Sequence, residues 1–249
     1  MPAFRSFLFA PGNHARKVAK VFDCGADNVI LDLEDAVAKA EKVATRALVL
    51  EALKRPRRGG AYIRVNAFNT EFCYGDAVAV VGSGLDGIIL PMVESREQIV
   101  AFDWLVGSLE RERGMSPGGV DIIPIIETGK GIANARAIAA AGTRVKRMAF
   151  GAGDYTLDMN MEWTLGESEL EHARAEGRSG GHLPFRRDAA RVSGETVSTK
   201  LPSTCRPLCI TETVSEICRT IGAWSSGACR PIAVLQAQAR ARAFLRRPR

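Results

Sequence analysis

A β–α unit that recurs along the first 154 residues is the feature that most restricts the fold of this 249-residue chain. In each unit a short apolar run precedes a polar or Gly/Pro-rich turn and a segment with helical periodicity. Successive runs begin 22 (residue 6 to 28) to 34 residues (87 to 121) apart, the length of a strand plus a crossover helix. Because the runs are continuously apolar, they predict parallel strands covered on both faces. The predicted strands are Ser6–Ala10, Asn28–Leu33, Ala61–Val65, Gly87–Leu90, Asp121–Ile126 and Arg147–Phe150.

The segments between the strands predict helices over roughly 13–23, 36–54, 75–82, 95–112 and 130–141, and one from about 165. In 95–112 the apolar residues recur every three or four positions, as in a helix with one buried face. Glu94-Ser95 is the predicted strand end and N-cap before this helix, and Gly114 and Pro117 end it.

Six β–α units in series are typical of a doubly wound open sheet or of a (β/α)8 TIM barrel, both α/β folds. The Gly-x-Gly-x-x-Gly turn of a dinucleotide-binding open sheet does not follow the first strand. Polar residues follow nearly every strand, and in a barrel all of these positions meet at one mouth. We therefore predict a (β/α)8 barrel with six recognisable units and with its last two units atypical or missing.

Charge divides the chain into two predicted parts, 1–176 and 177–249. Residues 177–249 hold 13 basic and four acidic residues (net +9), whereas 1–176 hold 21 basic and 24 acidic residues (net −3). The basic tail makes nucleic-acid binding a minor alternative that steep salt dependence would test. No apolar run is long enough to cross a membrane and the N-terminus is a poor signal peptide, so we expect a cytoplasmic protein.

Charged residues follow the second predicted strand and lie within the third. Asp32, Glu34 and Asp35 end a buried run, where carboxylates are costly unless they meet a cation, donors or water. Arg64 lies inside an apolar run and suits bidentate binding of a carboxylate or of a developing oxyanion. Pairing of Arg64 with one of the three acids is an equally good and compatible interpretation.

Glu127 and Asp154 end the fifth and sixth predicted runs, which are neighbours in a barrel. Two adjacent carboxylates repel each other unless one is protonated or a metal lies between them. Two protein oxygens with water and substrate suit Mg²⁺, whereas the three histidines lie outside these motifs and make zinc improbable. Helix caps or solvent-facing turn acids are the alternative interpretation.

The turn Pro11-Gly12-Asn13 after the first strand has two interpretations. It is either a plain turn into a helix or an anion-binding loop at the helix start, to which Arg5 and Arg16 add positive charge.

Together these motifs resemble the citrate lyase β-subunit-like branch of the HpcH/HpaI aldolase family over residues 5 to about 176. The matching segments, in order, are Arg5-Ser6-Phe7-Leu8-Phe9-Ala10-Pro11-Gly12, Gly25-Ala26-Asp27, Leu31-Asp32-Leu33-Glu34-Asp35-Ala36-Val37, Arg64-Val65-Asn66, Ile126-Glu127-Thr128 and Phe150-Gly151-x-Gly153-Asp154.

The resemblance implies an oligomeric, Mg²⁺-dependent barrel lyase that cleaves or forms β-hydroxyacyl-CoA thioesters such as citryl-CoA, malyl-CoA or citramalyl-CoA. It implies a 2-oxo acid and an acyl-CoA as small-molecule partners, with CoA entering as part of the substrate. Glu127 and Asp154 correspond to the metal ligands, and Arg64, Glu127 and Arg16 are the expected substrate-binding residues. Arg64, with Asp32, Glu34 and Asp35 near the metal, forms the expected catalytic set.

The resemblance ends near residue 176, since the Ile-His-Pro segment of relatives does not occur in this chain. We hypothesise that the remainder is translated from a shifted reading frame or replaces the last barrel units. The short apolar runs Leu208–Ile210 and Ile232–Leu235 are weak candidates for the missing strands. Met92 stands where relatives often have Lys. A metal-dependent pyruvate aldolase and an inactive truncated homologue are the alternative functions.

Overall fold

The computed structural model describes residues 6–179, which form a six-stranded parallel sheet with the strands in chain order. Each strand pairs in parallel with the next, so that Ile30 lies opposite Tyr62 and Asp32 opposite Arg64. All six predicted strands are confirmed, although the last is only two residues long. The strands are β1 Phe7–Pro11, β2 Asn28–Asp32, β3 Gly60–Arg64, β4 Gly87–Leu90, β5 Asp121–Ile126 and β6 Ala149–Phe150.

Helices follow every strand, as the β–α pattern predicts. They are α1 Ala15–Val21, α2 Lys42–Leu53, α3 Cys73–Val80, α4 Arg96–Glu112, α5 Gly129–Ala133, α6 Ala135–Ala139, α7 Ala152–Asp158 and α8 Glu171–Ser179, with 3-10 turns at Lys39–Glu41 and Ser168–Leu170. The predicted N-cap of α4 is confirmed, because the Ser95 hydroxyl accepts the Gln98 N–H while the Gln98 side chain accepts the Ser95 N–H.

Three helix predictions need correction. The segment 130–141 is two helices that meet at Asn134, whose side-chain amide donates to the carbonyl of Glu94 (2.8 Å). Residues 36–38 are not helical, and α2 begins at Lys42 after a 3-10 turn. Helix α7 is not among the predicted helices; Gly151 lies just before it and Gly153 within it, although glycine disfavours helix interiors.

Two apolar layers lie on the two faces of the sheet. Alternate strand residues pack together on one face, and they are Phe7, Ile30, Tyr62, Ile89, Ile123, Ile125 and Ala149, with Phe9 beside them. The intervening residues, among them Leu31 and Ile88, join the larger core that the helices cover. Every residue of β2 and β4 is buried, which confirms parallel strands covered on both faces.

The observed fold is α/β and supplies the first six units of the predicted barrel. The two segments proposed as replacement strands and the basic tail beyond residue 179 lie outside the described residues. No helix within the described range is long and apolar enough to cross a membrane. Since all six strands are parallel, their carboxyl ends lie at the same edge of the sheet, and the predicted site residues lie at or after five of these ends.

Candidate active site

Arg64 and Asp32 form a buried, bidentate ion pair at the carboxyl ends of β3 and β2. Nε of Arg64 donates to Oδ1 of Asp32 (2.7 Å) and Nη2 donates to Oδ2 (2.6 Å). Nη1 of Arg64 lies 3.2 Å from Oε2 of Glu34, and the ring of Phe9 lies under the guanidinium, 5.1 Å from Cζ. The predicted pairing of Arg64 with the acids is thus observed. A guanidinium has five N–H groups, so Arg64 retains capacity for a further oxygen.

Charge and hydrogen bonding keep Asp32 ionised. Burial alone raises the pKa of Asp32, but the charge and hydrogen bonds of Arg64 outweigh it, and the pKa lies below the ordinary 3.8. The backbone N–H groups of Glu34 (2.9 Å) and Ala36 (3.0 Å) donate to the same carboxylate. Asp32 is therefore a fixed anion that orients the guanidinium.

The negative charge of Glu34 is less well stabilised by Arg64 and by hydrogen-bond donors than the negative charge of Asp32. Burial raises its pKa, the charge of Arg64 lowers it, and the charges of Asp32, Asp35 and Asp154 raise it, with a net increase. Asp35 is half-buried beside this cluster. The end of β2 and the loop after it thus bring two carboxylates, Asp32 and Glu34, to Arg64, whereas Asp35 acts on Glu34.

Glu127 directly follows β5 and is only 3% exposed. Its Oε1 accepts the backbone N–H of Met92 (2.9 Å), and Met92 holds a left-handed conformation with φ of 54° that is strained for a non-glycine residue. A side chain at Gly151 would collide with Glu127, since an added Cβ would lie 2.7 Å from its Cβ and closer still to its Oε2. Tight packing against the end of β6 therefore fixes the position of Glu127.

Asp154 lies in the first turn of α7, where the helix dipole favours an acidic side chain. Burial and the charge of Asp154 raise the pKa of Glu127 well above its usual value, while Arg64 opposes this shift. Asp154 raises the pKa of Glu34 as well. Glu34, Arg64, Glu127 and Asp154 therefore form one electrostatic cluster.

This cluster fits a divalent cation. Three acidic side chains, Asp32, Glu34 and Glu127, act on the charge of the buried Arg64, and Asp154 acts on Glu34 and Glu127. The cluster therefore holds four carboxyl groups and one guanidinium. Within residues 6–179 no group of three or more His, Cys, Asp or Glu side chains forms a metal site. Glu127 and Asp154 would supply two oxygens and leave other positions to water and substrate, which is the arrangement that Mg²⁺ tolerates.

Two predicted binding residues are not placed in the cluster. Arg16 is exposed in the first turn of α1, which follows the carboxyl end of β1, so its role stays a prediction. Arg5 lies outside the described residues.

Sequence reasoning missed several supporting groups. The Met92 N–H binds the Glu127 carboxylate, and the missing side chain of Gly151 leaves room for it. No sequence pattern identifies a backbone N–H as a donor to a particular side chain. Lys42 and the side-chain amide of Asn66 lie behind the loop that carries the acids. The sequence gives Asn66 no role beyond its place in the motif Arg64-Val65-Asn66. Lys42 stands at the start of an ordinary amphipathic helix, where a lysine needs no special explanation.

A family model described as HpcH/HpaI aldolase/citrate lyase matches residues 5–179. The chain belongs to this family. The β subunit of citrate lyase from Leuconostoc mesenteroides subsp. cremoris is 37% identical over 172 residues, which are 68% of this chain and 57% of that protein. The L-malyl-CoA/β-methylmalyl-CoA lyase of Cereibacter sphaeroides (strain ATCC 17025) is 37% identical over 165 residues, or 64% of this chain and 52% of that one.

A solved structure, the citrate lyase β subunit of M. tuberculosis complexed with oxaloacetate and magnesium, matches with a TM-score of 0.58 and 28% identity. The match covers 72% of this chain and 74% of that chain. The aligned region spans less than three fifths of the length of the citrate lyase and malyl-CoA lyase relatives. The family and the fold of the aligned part are therefore shown, whereas the activity is a matter for proposal.

Proposed function

We propose that the chain is a Mg²⁺-dependent carbon–carbon lyase that cleaves, or in reverse forms, a β-hydroxyacyl-CoA thioester such as citryl-CoA, malyl-CoA or citramalyl-CoA. One observation supports this proposal most strongly: the Arg64–Asp32 pair lies in the same buried cluster as the Glu127 and Asp154 carboxylates. A fixed guanidinium and two carboxylates able to bind a metal suit the retro-Claisen cleavage of a β-hydroxyacyl thioester, in which charge develops on oxygen.

In a retro-Claisen cleavage a base removes the β-hydroxyl proton and the neighbouring carbon–carbon bond breaks. The hydroxyl-bearing carbon becomes the carbonyl of the oxo acid, and the bond electrons form the enolate of the acyl-CoA. When bound by Glu127 and Asp154, Mg²⁺ would supply a Lewis acid that lowers the pKa of the hydroxyl group.

The residues of the chain would bind and orient the reactants. Arg64 would hold a substrate carboxylate or the oxygen on which charge develops, while Asp32 keeps its planar fork in one orientation. Glu34 adds a second acidic contact to Arg64. The Met92 N–H would hold Glu127 in place, so the metal ligand would need little reorganisation.

The names of the relatives support this choice of substrate. One solved relative is a complex with oxaloacetate and magnesium, and two of the curated relatives are named citrate lyase subunit β and L-malyl-CoA/β-methylmalyl-CoA lyase. We also propose that residues 1–176 are the lyase unit and 177–249 a separate segment, because the net charge changes at this point, and that the chain forms a homo-oligomer, as the family resemblance implies.

The test is turnover by the purified full-length chain. Citryl-CoA, malyl-CoA and citramalyl-CoA are each incubated with Mg²⁺ or with EDTA, and release of the oxo acid and of the acyl-CoA is measured. We expect Mg²⁺-dependent cleavage of at least one thioester. Cleavage only of free 4-hydroxy-2-oxo acids to pyruvate and an aldehyde would indicate an aldolase instead. A folded protein that cleaves none of them would contradict the proposal and favour the inactive homologue.

A further inference from the structure

Lys42, the first residue of α2, contacts the loop that carries the acids of the candidate site without reaching its charged groups. Its Nζ donates to the backbone carbonyls of Leu33 (3.2 Å) and Glu34 (2.6 Å) and to Oδ1 of Asn66 (2.5 Å). These three acceptors match the three protons of an ammonium group. Lys42 therefore joins the loop after β2 to the loop after β3.

The peptides that Lys42 binds are the ones that position the ion pair. The carbonyl of Leu33 also accepts the Asn66 amide (3.0 Å), and the N–H of Leu33 donates to the carbonyl of Arg64 (2.9 Å). The N–H of Glu34 donates to Oδ1 of Asp32 (2.9 Å), the oxygen that also accepts Nε of Arg64. A shift of the Leu33–Glu34 backbone would therefore move both acids that contact Arg64.

A second ion pair, between the half-buried Arg46 and the buried Asp76, supports Asn66. Asp76 on α3 is fully buried and accepts the backbone N–H (2.9 Å) and the side-chain amide (2.6 Å) of Asn66. Arg46, one helical turn after Lys42, donates to the other oxygen of Asp76 (2.8 Å). Helix α2 thus holds the network at two points, which leaves the two loops little freedom relative to each other.

We propose that Lys42 is a positioning residue: it fixes the peptides of Leu33 and Glu34 so that Asp32 and Glu34 hold Arg64 in the orientation that the reaction needs. The interpretation of the turnover measurement rests on the proposed lyase function. The effect of Lys42 on the environment of Arg64 can be measured without it. Lys42 does not itself act on the substrate. Its effect passes through hydrogen bonds to backbone carbonyls.

The test compares Lys42→Met, which removes the ammonium from a side chain of similar length, with Lys54→Met. Lys54 follows the same helix, is exposed and pairs only with the exposed Glu51 among the described residues. The first readout is the Nε–H signal of Arg64 in ¹⁵N NMR of the full chain, assigned with Arg64→Lys. We expect Lys42→Met to shift this signal and speed its exchange with water, and Lys54→Met to leave it unchanged.

The second readout is steady-state kinetics with the thioester that the wild type cleaves, well below the melting temperature. We expect Lys42→Met to lower kcat by roughly ten-fold or more, since misplacement of a catalytic group by a fraction of an ångström has effects of this order, with KM within about two-fold. Lys42→Arg keeps the charge and several donors, so it should recover part of the kcat and of the Arg64 signal.

An unchanged Arg64 signal and kcat in Lys42→Met, even with a lower melting temperature, would reduce Lys42 to a structural contact and overturn the proposal. If Lys42→Met does not fold, Lys42→Arg decides: a shifted Arg64 signal together with a reduced kcat supports the proposal, and wild-type values for both overturn it. If the wild type cleaves no thioester, the proposed function fails, and the Arg64 signal alone decides the role of Lys42.

Discussion

Gly151→Ala should abolish metal binding, mainly because the added methyl group displaces the Glu127 side chain. Gly151 has a negative φ, so alanine fits its backbone and the effect comes only from the added methyl group. That methyl would lie 2.7 Å from Cβ of Glu127, whereas ordinary contacts lie at 3.4–4 Å. Glu127 or the backbone must therefore move by roughly 0.7–1 Å, and a displacement of that size can cost on the order of 100-fold in rate. Overpacking of this kind also costs about 1–3 kcal/mol of stability.

The assay is calorimetric titration of the protein with Mg²⁺, followed by turnover of the preferred thioester. The matched control is Gly153→Ala, two residues further along, because a methyl there would meet only Cζ3 of Trp163 at an ordinary 3.7 Å. We expect Gly151→Ala to lose Mg²⁺ binding and Gly153→Ala to keep it. Wild-type binding by Gly151→Ala would refute the assignment of Glu127 as a tightly packed metal ligand.

Three further predictions concern the charged groups. Glu127→Gln and Asp154→Asn should each abolish Mg²⁺-dependent turnover and leave the protein folded; metal-dependent turnover in either variant would contradict the ligand assignment. Arg64→Lys should lose most of its activity, because an ammonium cannot reproduce the two parallel bonds to Asp32, and wild-type kcat/KM would refute that role. Asp32→Asn should destabilise the protein by about 3 kcal/mol at neutral pH, since the buried Arg64 loses its bidentate partner and keeps only the 3.2 Å contact with Glu34. The folded pKa of Asp32 is below 3.8, so its contribution is complete above about pH 4 and is lost as the pH falls through the folded pKa. Denaturant unfolding of both proteins should therefore show a smaller difference at low pH, and a constant difference would contradict the pKa assignment.

The strands could be predicted from the sequence because their apolar runs are continuous and bounded by turns. β2 and β4 are buried at every residue, as a continuous apolar run predicts, and the two polar residues of β2, Asn28 and Asp32, stand at its two ends. The long helix α4 could be predicted equally well, since its N-cap and its apolar periodicity indicate the same helix start. Helix α7 could not, because two of the residues around its start are glycines, which usually mark loops.

The acids and Arg64 could be named from the sequence because charges beside buried strands need partners. The pairing geometry could not, since the bidentate contact depends on the register that places Asp32 opposite Arg64. The supporting groups could not be predicted from the sequence either. Lys42 binds a backbone carbonyl and Met92 donates its backbone N–H, and every residue has such a carbonyl while all but proline have such an N–H. Electrostatic proximity of Glu127 and Asp154 follows from the order of β5 and β6, and the structure bears it out.

The most direct measurement on the central claim is a thermal melt of the full chain with and without Mg²⁺ plus oxaloacetate, beside Glu127→Gln as the control. A ligand that binds only the folded protein raises the melting temperature by mass action. A Mg²⁺ site built by Glu127 and Asp154 predicts a cooperative melt whose midpoint rises with Mg²⁺ and oxaloacetate in the wild type and stays constant in Glu127→Gln. A wild-type midpoint that does not respond, or an equal rise in Glu127→Gln, would contradict the claim.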